Sequence, residues 1–205
     1  MSAARGSCSL SEIASRSARL RRPRSIAKVW PVASTLACLL LTNGLVVLYL
    51  WAIGRPFIAP TEPLKLFSDN LAAANSLYLS DPYSLLHVIF GIGLFLYLDW
   101  MKPFWPTREK LIVAVLGSAI WEVVENTPYV VGLFNDTSDT AAYNGDSVAN
   151  SIGDTISAVI GFLFANRTGR RVSLFVAFAL ESIVTVWIGD GIVIGTLRLL
   201  GLYPI

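Results

Sequence analysis

Trp121-Glu122-Val123-Val124-Glu125-Asn126-Thr127-Pro128, followed after a short connection by Asp146-Ser147-Val148-Ala149-Asn150-Ser151-Ile152-Gly153-Asp154, decides how the chain is read. Both stretches lie in apolar runs long enough to cross a bilayer, yet together they carry four carboxylates and two amides. An ionisable group at membrane depth costs about 2.5 kcal/mol or more on insertion scales, so it faces a bundle interior, a cavity or a partner. The two stretches therefore mark a site inside a helical membrane protein.

The rest of the chain agrees. Of 205 residues 54% are hydrophobic and 15% charged, with mean hydropathy +0.60, against about 25% charge in an average soluble domain. Five apolar runs, 29–54, 84–101, 110–132, 147–165 and 172–195, predict an all-α membrane protein. It is a single bundle of five transmembrane helices over residues 29–205, preceded by a basic cytoplasmic tail at 1–28. Arg5, Arg16, Arg19, Arg21, Arg22, Arg24 and Lys28 lie in that tail. Lys102, Arg108 and Lys110 fall in the second connection, and Arg167, Arg170 and Arg171 in the fourth. The positive-inside rule then puts the N-terminus in the cytoplasm and the C-terminus in the periplasm of an inner membrane. Trp30, Trp51, Trp100, Trp105 and Tyr203 stand near span ends, as rings at headgroup level do. No aromatic residue accompanies the tail arginines, so they read as partners of the lipid bilayer and not of nucleic acid. Cys8 and Cys38 lie in different environments and predict no disulfide framework. Within the exterior connection Phe67, Leu71, Ala74 and Tyr78 recur at helical spacing and predict a short interfacial helix.

Depth and phase locate the site. At 1.5 Å per residue Glu122 lies roughly 16 Å from the cytoplasmic edge, and Glu125 and Asp154 lie at similar levels in the outer half. At about 100° per residue Ser118, Glu122, Glu125, Asn126 and Tyr129 share one stripe. Asp146, Asn150, Gly153, Asp154, Ser157 and Gly161 share another, whose small residues allow close helix approach. His87, with Gly91 on its face, is expected to close the third side, and Glu181, near mid-depth in the last run, to line the same interior. Asp190 falls on the opposite face of an ideal helix. Asp99 and Glu109 read as solvated interface residues. Four carboxylates and a histidine at one level repel unless a proton, a cation or a cationic substrate is present.

In such a site Glu122 or Glu125 is the candidate general base, and His87 the acid or second base. Asp154 is either catalytic or, with Asp146, an orienting group, while Asp81, Asn126, Asn150 and Glu181 are candidate binding residues. One histidine excludes a multi-histidine zinc site. A divalent cation, Mg²⁺ or Ca²⁺, on Asp146, Asp154 and Glu125 is the cofactor the residue types allow. The implied substrate is lipid-linked or amphipathic. The rival readings are a non-catalytic envelope protein, whose polar cluster serves the fold, and a proton-coupled transporter. Oligomeric state is not readable.

Asp81-Pro-Tyr-Ser-Leu-Leu-His87, Trp121-Glu-Val-Val-Glu-Asn-Thr-Pro128 and Tyr143-Asn-Gly-Asp146-Ser-Val-Ala-Asn150-Ser-Ile-Gly-Asp154 resemble a family of bacterial multi-pass membrane proteins catalogued as a domain of unknown function. The likeness covers roughly residues 75–190. More loosely, the order Asp, His, mid-helix Glu, then Asp and Asn before a glycine-rich span resembles the VanZ-like membrane proteins, which implies a related architecture and site location.

Overall fold

The structure, a computed structural model, describes residues 32–60, 65–69, 76–137 and 143–202. The described residues form seven helices: α1 (Val32–Ala52), α2 (Ser84–Met101), α3 (Thr107–Glu125), α4 (Pro128–Thr137), α5 (Val148–Arg167), α6 (Arg170–Ile188) and α7 (Ile192–Leu199). No strand occurs among them. Four helices, α1, α2, α5 and α6, are long and apolar enough to cross a membrane, and α3 with α4 makes a fifth if that bent pair is one span. This is the pattern of a membrane protein. The basic tail at 1–28, with Trp30, Tyr203, Leu71 and Ala74, lies outside the described residues.

Two expected spans are broken, each for a local reason. The run 110–132 bends by 69° between α3 and α4. Pro128 has no N–H to continue α3 but suits the first position of a new helix. The Thr127 hydroxyl caps that helix by accepting from the Val130 N–H at 3.4 Å. Tyr129 consequently leaves the Glu122 stripe and is 76% exposed. The run 172–195 stops at Gly189, whose φ of 69° closes α6 in the left-handed conformation, and the chain restarts as α7. The interfacial helix predicted from Phe67, Leu71, Ala74 and Tyr78 centres on residues 70–75, outside the described residues; on either side of them Leu66 and Ser68 pair with Ser80 through backbone hydrogen bonds.

The bundle centres on α2 and α5, with α3 against both, α1 on α3 and α6 on α2. Three glycines set the central contact. A Cβ added at Gly91 would stand 1.9 Å from the Ala158 carbonyl oxygen, at Gly161 2.0 Å from that of Val88, and at Gly153 1.6 Å from that of Leu79. Backbones touch there, as small residues spaced by four permit. Below this contact Ile92, Phe95 and Leu98 of α2 pack on Ala114 of α3 and on Phe162 and Ala165 of α5. Phe95 and Phe162 meet edge to face at 5.2 Å. This apolar plug fills the end bearing the basic connections. Asp99, expected to be solvated, is half exposed and pairs at 2.5 Å with a Lys110 that is itself buried. Phe175 and Phe178 of α6 and Leu40 and Leu41 of α1 point outward, each more than half exposed, as lipid-facing side chains would.

Candidate functional site

The polar residues gather where α2 and α5 begin and α3 ends, so the site is built on helix termini whose backbone groups need partners. Asp81 supplies them for α2. Its Oδ1 accepts from the N–H groups of Tyr83 (2.8 Å) and Ser84 (3.2 Å), and its Oδ2 from the N–H and hydroxyl of Ser76, both at 3.2 Å. Burial, and secondarily the charge of Asp146, pushes the Asp81 carboxyl up to about 6. Ser147 caps α5 by accepting from the Asn150 N–H at 3.1 Å. Asn150 donates to the Tyr78 carbonyl at 2.9 Å, holding the connection before α2 against α5.

Asn126, at the end of α3, clasps Asp146. Its Nδ2 donates to Asp146 Oδ2 at 2.6 Å and to the Glu122 carbonyl at 3.0 Å, while its Oδ1 accepts from the Asp146 N–H at 2.8 Å. The Tyr143 hydroxyl donates to Asp146 Oδ1 at 2.9 Å. Burial first, then the Asp146 charge, raises the Tyr143 phenol well above its ordinary range, so it remains a donor. Behind this clasp Arg55 donates to the Asn126 carbonyl at 3.1 Å. Its guanidinium occupies the space a Cβ on Gly145 would need, and Gly145 also has φ +85°.

At the centre His87 stands between two carboxylates, with Nδ1 3.6 Å from Glu122 Oε1 and Nε2 3.6 Å from Asp154 Oδ2. Neither separation is a hydrogen bond. Asp154 is aimed by Ser84, whose hydroxyl donates to its Oδ1 at 2.6 Å. Glu122 is wholly buried, and neither carboxylate oxygen has a hydrogen-bond partner among the described residues. Each of two trios, His87–Glu122–Asp154 and Glu122–Glu125–Asp146, has ligand-type atoms within 4.8 Å of one another.

A cavity of about 310 Å³ adjoins the cluster. Its lining joins His87, Glu125, Asp146 and Asp154, and the Asp190–Arg198 pair, to the apolar side chains of Leu86, Phe90, Trp121, Phe134, Ile192 and Leu199. Glu122 does not line the cavity. Such a chamber can receive a molecule with one polar and one apolar part.

The structure thus brings together eight of the residues singled out from sequence: Asp81, His87, Glu122, Glu125, Asn126, Asp146, Asn150 and Asp154. Glu181 is not among them. Because α6 ends at Gly189 and the chain turns back, its carboxylate instead accepts from the N–H groups of Ile192 (3.1 Å) and Val193 (3.0 Å), capping α7. The same turn carries Asp190 into the cavity wall, where its Oδ2 accepts from Arg198 Nη1. Uniform helical phase through 172–195 hides this pair; its one sequence signal is the Gly189-Asp190-Gly191 interruption. Arg55 and Tyr143 were also missed, since each lies in a connection where periodicity carries no information.

Residues 50–205 match the family described as "Protein of unknown function (DUF2585)". The chain is 31% identical over 152 residues to a UPF0314 protein of Brucella anthropi, covering 74% of this chain and 78% of the relative. It is 33% identical over 172 residues to a UPF0314 protein of Sphingopyxis alaskensis, covering 83% and 88%. A UPF0314 protein of Agrobacterium fabrum is 35% identical over 147 residues, with 69% and 72% covered. No solved structure matches the chain.

Proposed function

The chain belongs to the DUF2585 family, and we propose that it is a multi-pass inner-membrane protein that acts by acid/base chemistry on an amphipathic or lipid-linked envelope substrate. The carrying observation is the mixed lining of the chamber, in which His87 and three carboxylates meet aromatic and aliphatic side chains. In this reading the N-terminus is cytoplasmic and the chamber opens to the periplasm, because it lies at the end of the bundle opposite Lys102, Arg108, Arg167 and Arg170. Glu125 is the base, since it lines the chamber and Glu122 does not. His87 is the acid, and Asp154, aimed by Ser84, orients the substrate. The looser VanZ-like order of residues is compatible with this arrangement and adds no substrate to it. A proton-coupled transporter is disfavoured by the plug of Ile92, Phe95 and Phe162, which leaves no polar route toward the opposite end.

The test is a deletion strain complemented with Glu125→Gln and Asp154→Asn, with membrane abundance and envelope lipid composition measured side by side. Wild-type abundance with an altered lipid profile is expected. Loss of abundance and phenotype together would instead support the non-catalytic reading, in which the cluster serves the fold.

A further inference from the structure

We propose that Glu122 is the shared ligand of a divalent-cation site, with His87 and Asp154 on one side of its carboxylate and Glu125 and Asp146 on the other. The two trios of ligand atoms meet at Glu122, and within each the atoms stand within 4.8 Å. An ion about 2.1 Å from each ligand would draw such atoms to roughly 4 Å or less, a settling of under 1 Å.

Acidity alone would not make this a site. The second observation is that buried polar atoms are aimed into it with no hydrogen bond of ordinary geometry among the described residues: both oxygens of Glu122, which is 0% exposed and has the Ser151 hydroxyl beside it, and Nδ1 of His87, which is 7% exposed and faces Glu122 at 3.6 Å. Buried side-chain polar atoms are satisfied in the large majority of cases, and an orphaned carboxylate calls for an ion or a proton. The adjoining guanidiniums are turned to other acceptors, Arg198 to Asp190 and Arg55 to the Asn126 carbonyl. With Glu122 itself four carboxylates meet here, whose charge two divalent ions, one per trio, would balance.

The remaining oxygens are held as metal ligands usually are. Ser84 holds Asp154 Oδ1, leaving Oδ2 toward His87; Asn126 and Tyr143 fix the two oxygens of Asp146. Outer partners of this kind orient ligands and typically alter metal affinity by about 10- to 100-fold when removed. Imidazole together with carboxylates suits an ion that accepts both nitrogen and oxygen, and Mn²⁺ is the probe that fits both trios. The site rests on the same side chains as the acid/base reading: with an ion bound, Glu125, His87 and Asp154 would be its ligands, and the ion would polarise the substrate and acidify a bound water in place of the free base and acid. Binding itself does not depend on turnover.

The full-length protein, purified in detergent, stripped with a chelator and dialysed, is titrated with Mn²⁺ while the electron paramagnetic resonance signal of the free ion is followed. Saturable uptake of one or two ions per chain is expected, weakened at least about 100-fold in Glu122→Gln and about 10-fold in Ser84→Ala. Far-UV circular dichroism and gel filtration establish that each variant is folded. The proposal is overturned if the wild-type chain takes up no Mn²⁺ saturably, or if a folded Glu122→Gln chain binds as the wild type does. Should Glu122→Gln not fold, unchanged affinity in Ser84→Ala overturns it. Uptake without the lipid change described above sinks the acid/base reading and keeps the cation; the lipid change without uptake does the reverse.

Discussion

Replacing Gly91 by alanine should pull apart the contact on which the site depends. The new Cβ would lie 1.9 Å from the Ala158 carbonyl oxygen, 2.8 Å from its carbon and 2.9 Å from the Phe162 nitrogen, all rigid backbone. Relief to even 3.0 Å requires α2 and α5 to separate locally by at least about 1.1 Å, an overpacking that costs about 3 kcal/mol or more. His87 and Ser84 lie one and two turns away on α2, so the Ser84–Asp154 bond of 2.6 Å would open to about 3.7 Å and be lost. Gly93 provides the internal control. It sits on the same helix, is exposed, and has nothing within 4 Å of its added Cβ; alanine there should be neutral or stabilising by up to about 1 kcal/mol. Thermal unfolding in a mild detergent reads the difference, with a midpoint lowered by roughly 6–12 °C in Gly91→Ala and unchanged or raised in Gly93→Ala. If the two variants melt together, the backbone contact does not hold the site and the account of the bundle centre is wrong.

Two further outcomes follow from named contacts. Glu181→Ala should uncap α7 at a cost of about 1–2 kcal/mol, seen as faster hydrogen exchange at the Ile192 and Val193 amides that now donate to it; unchanged exchange would contradict the capping role. For Asp81 the folded value of about 6 lies above the ordinary carboxyl value of 3.8, so the folded state holds the extra proton between those limits. Its contribution to stability is therefore fully present below about pH 4 and is lost as pH rises through 6, by at most about 3 kcal/mol. The unfolding midpoint of the wild type should fall across that window, and the step should be smaller in Asp81→Asn. Parallel pH curves for the two proteins would remove the assignment.

How far the sequence reached depends on where one helical phase holds. From Ser118 to Glu125, and from Asn150 to Gly161, each helix is unbroken, so counting residues identifies the face. Glu122 and Asp154 meet His87 where those counts put them, and Gly91, Gly153 and Gly161 make the close approaches. Counting fails past a break. Pro128 turns Tyr129 outward, and the left-handed Gly189 sends Glu181 to a cap and Asp190 into the cavity. Arg55 and Tyr143 reach the site from connecting segments, and only tertiary structure reveals such partners.

The helix ends also separate two kinds of polar residue that look alike in sequence. Where helices start and stop inside the protein, backbone N–H groups are shielded from water and must find side chains. Asp81, Ser147 and Asn126 accept from such N–H groups, Asn150 donates to the Tyr78 carbonyl, and Asn126 with Tyr143 uses both oxygens of Asp146. Their presence is explained by the fold alone. His87 Nδ1 and the Glu122 carboxylate satisfy no backbone group and make no hydrogen bond of ordinary geometry to a described side chain, although Glu122 is buried as deeply as the capping residues and His87 is also buried. Burying such groups works against the fold, since each gives up hydration without gaining a protein partner. Function is therefore best sought in His87, Glu122 and the carboxylates facing them, and not in the more numerous polar residues that hold the same helix ends together.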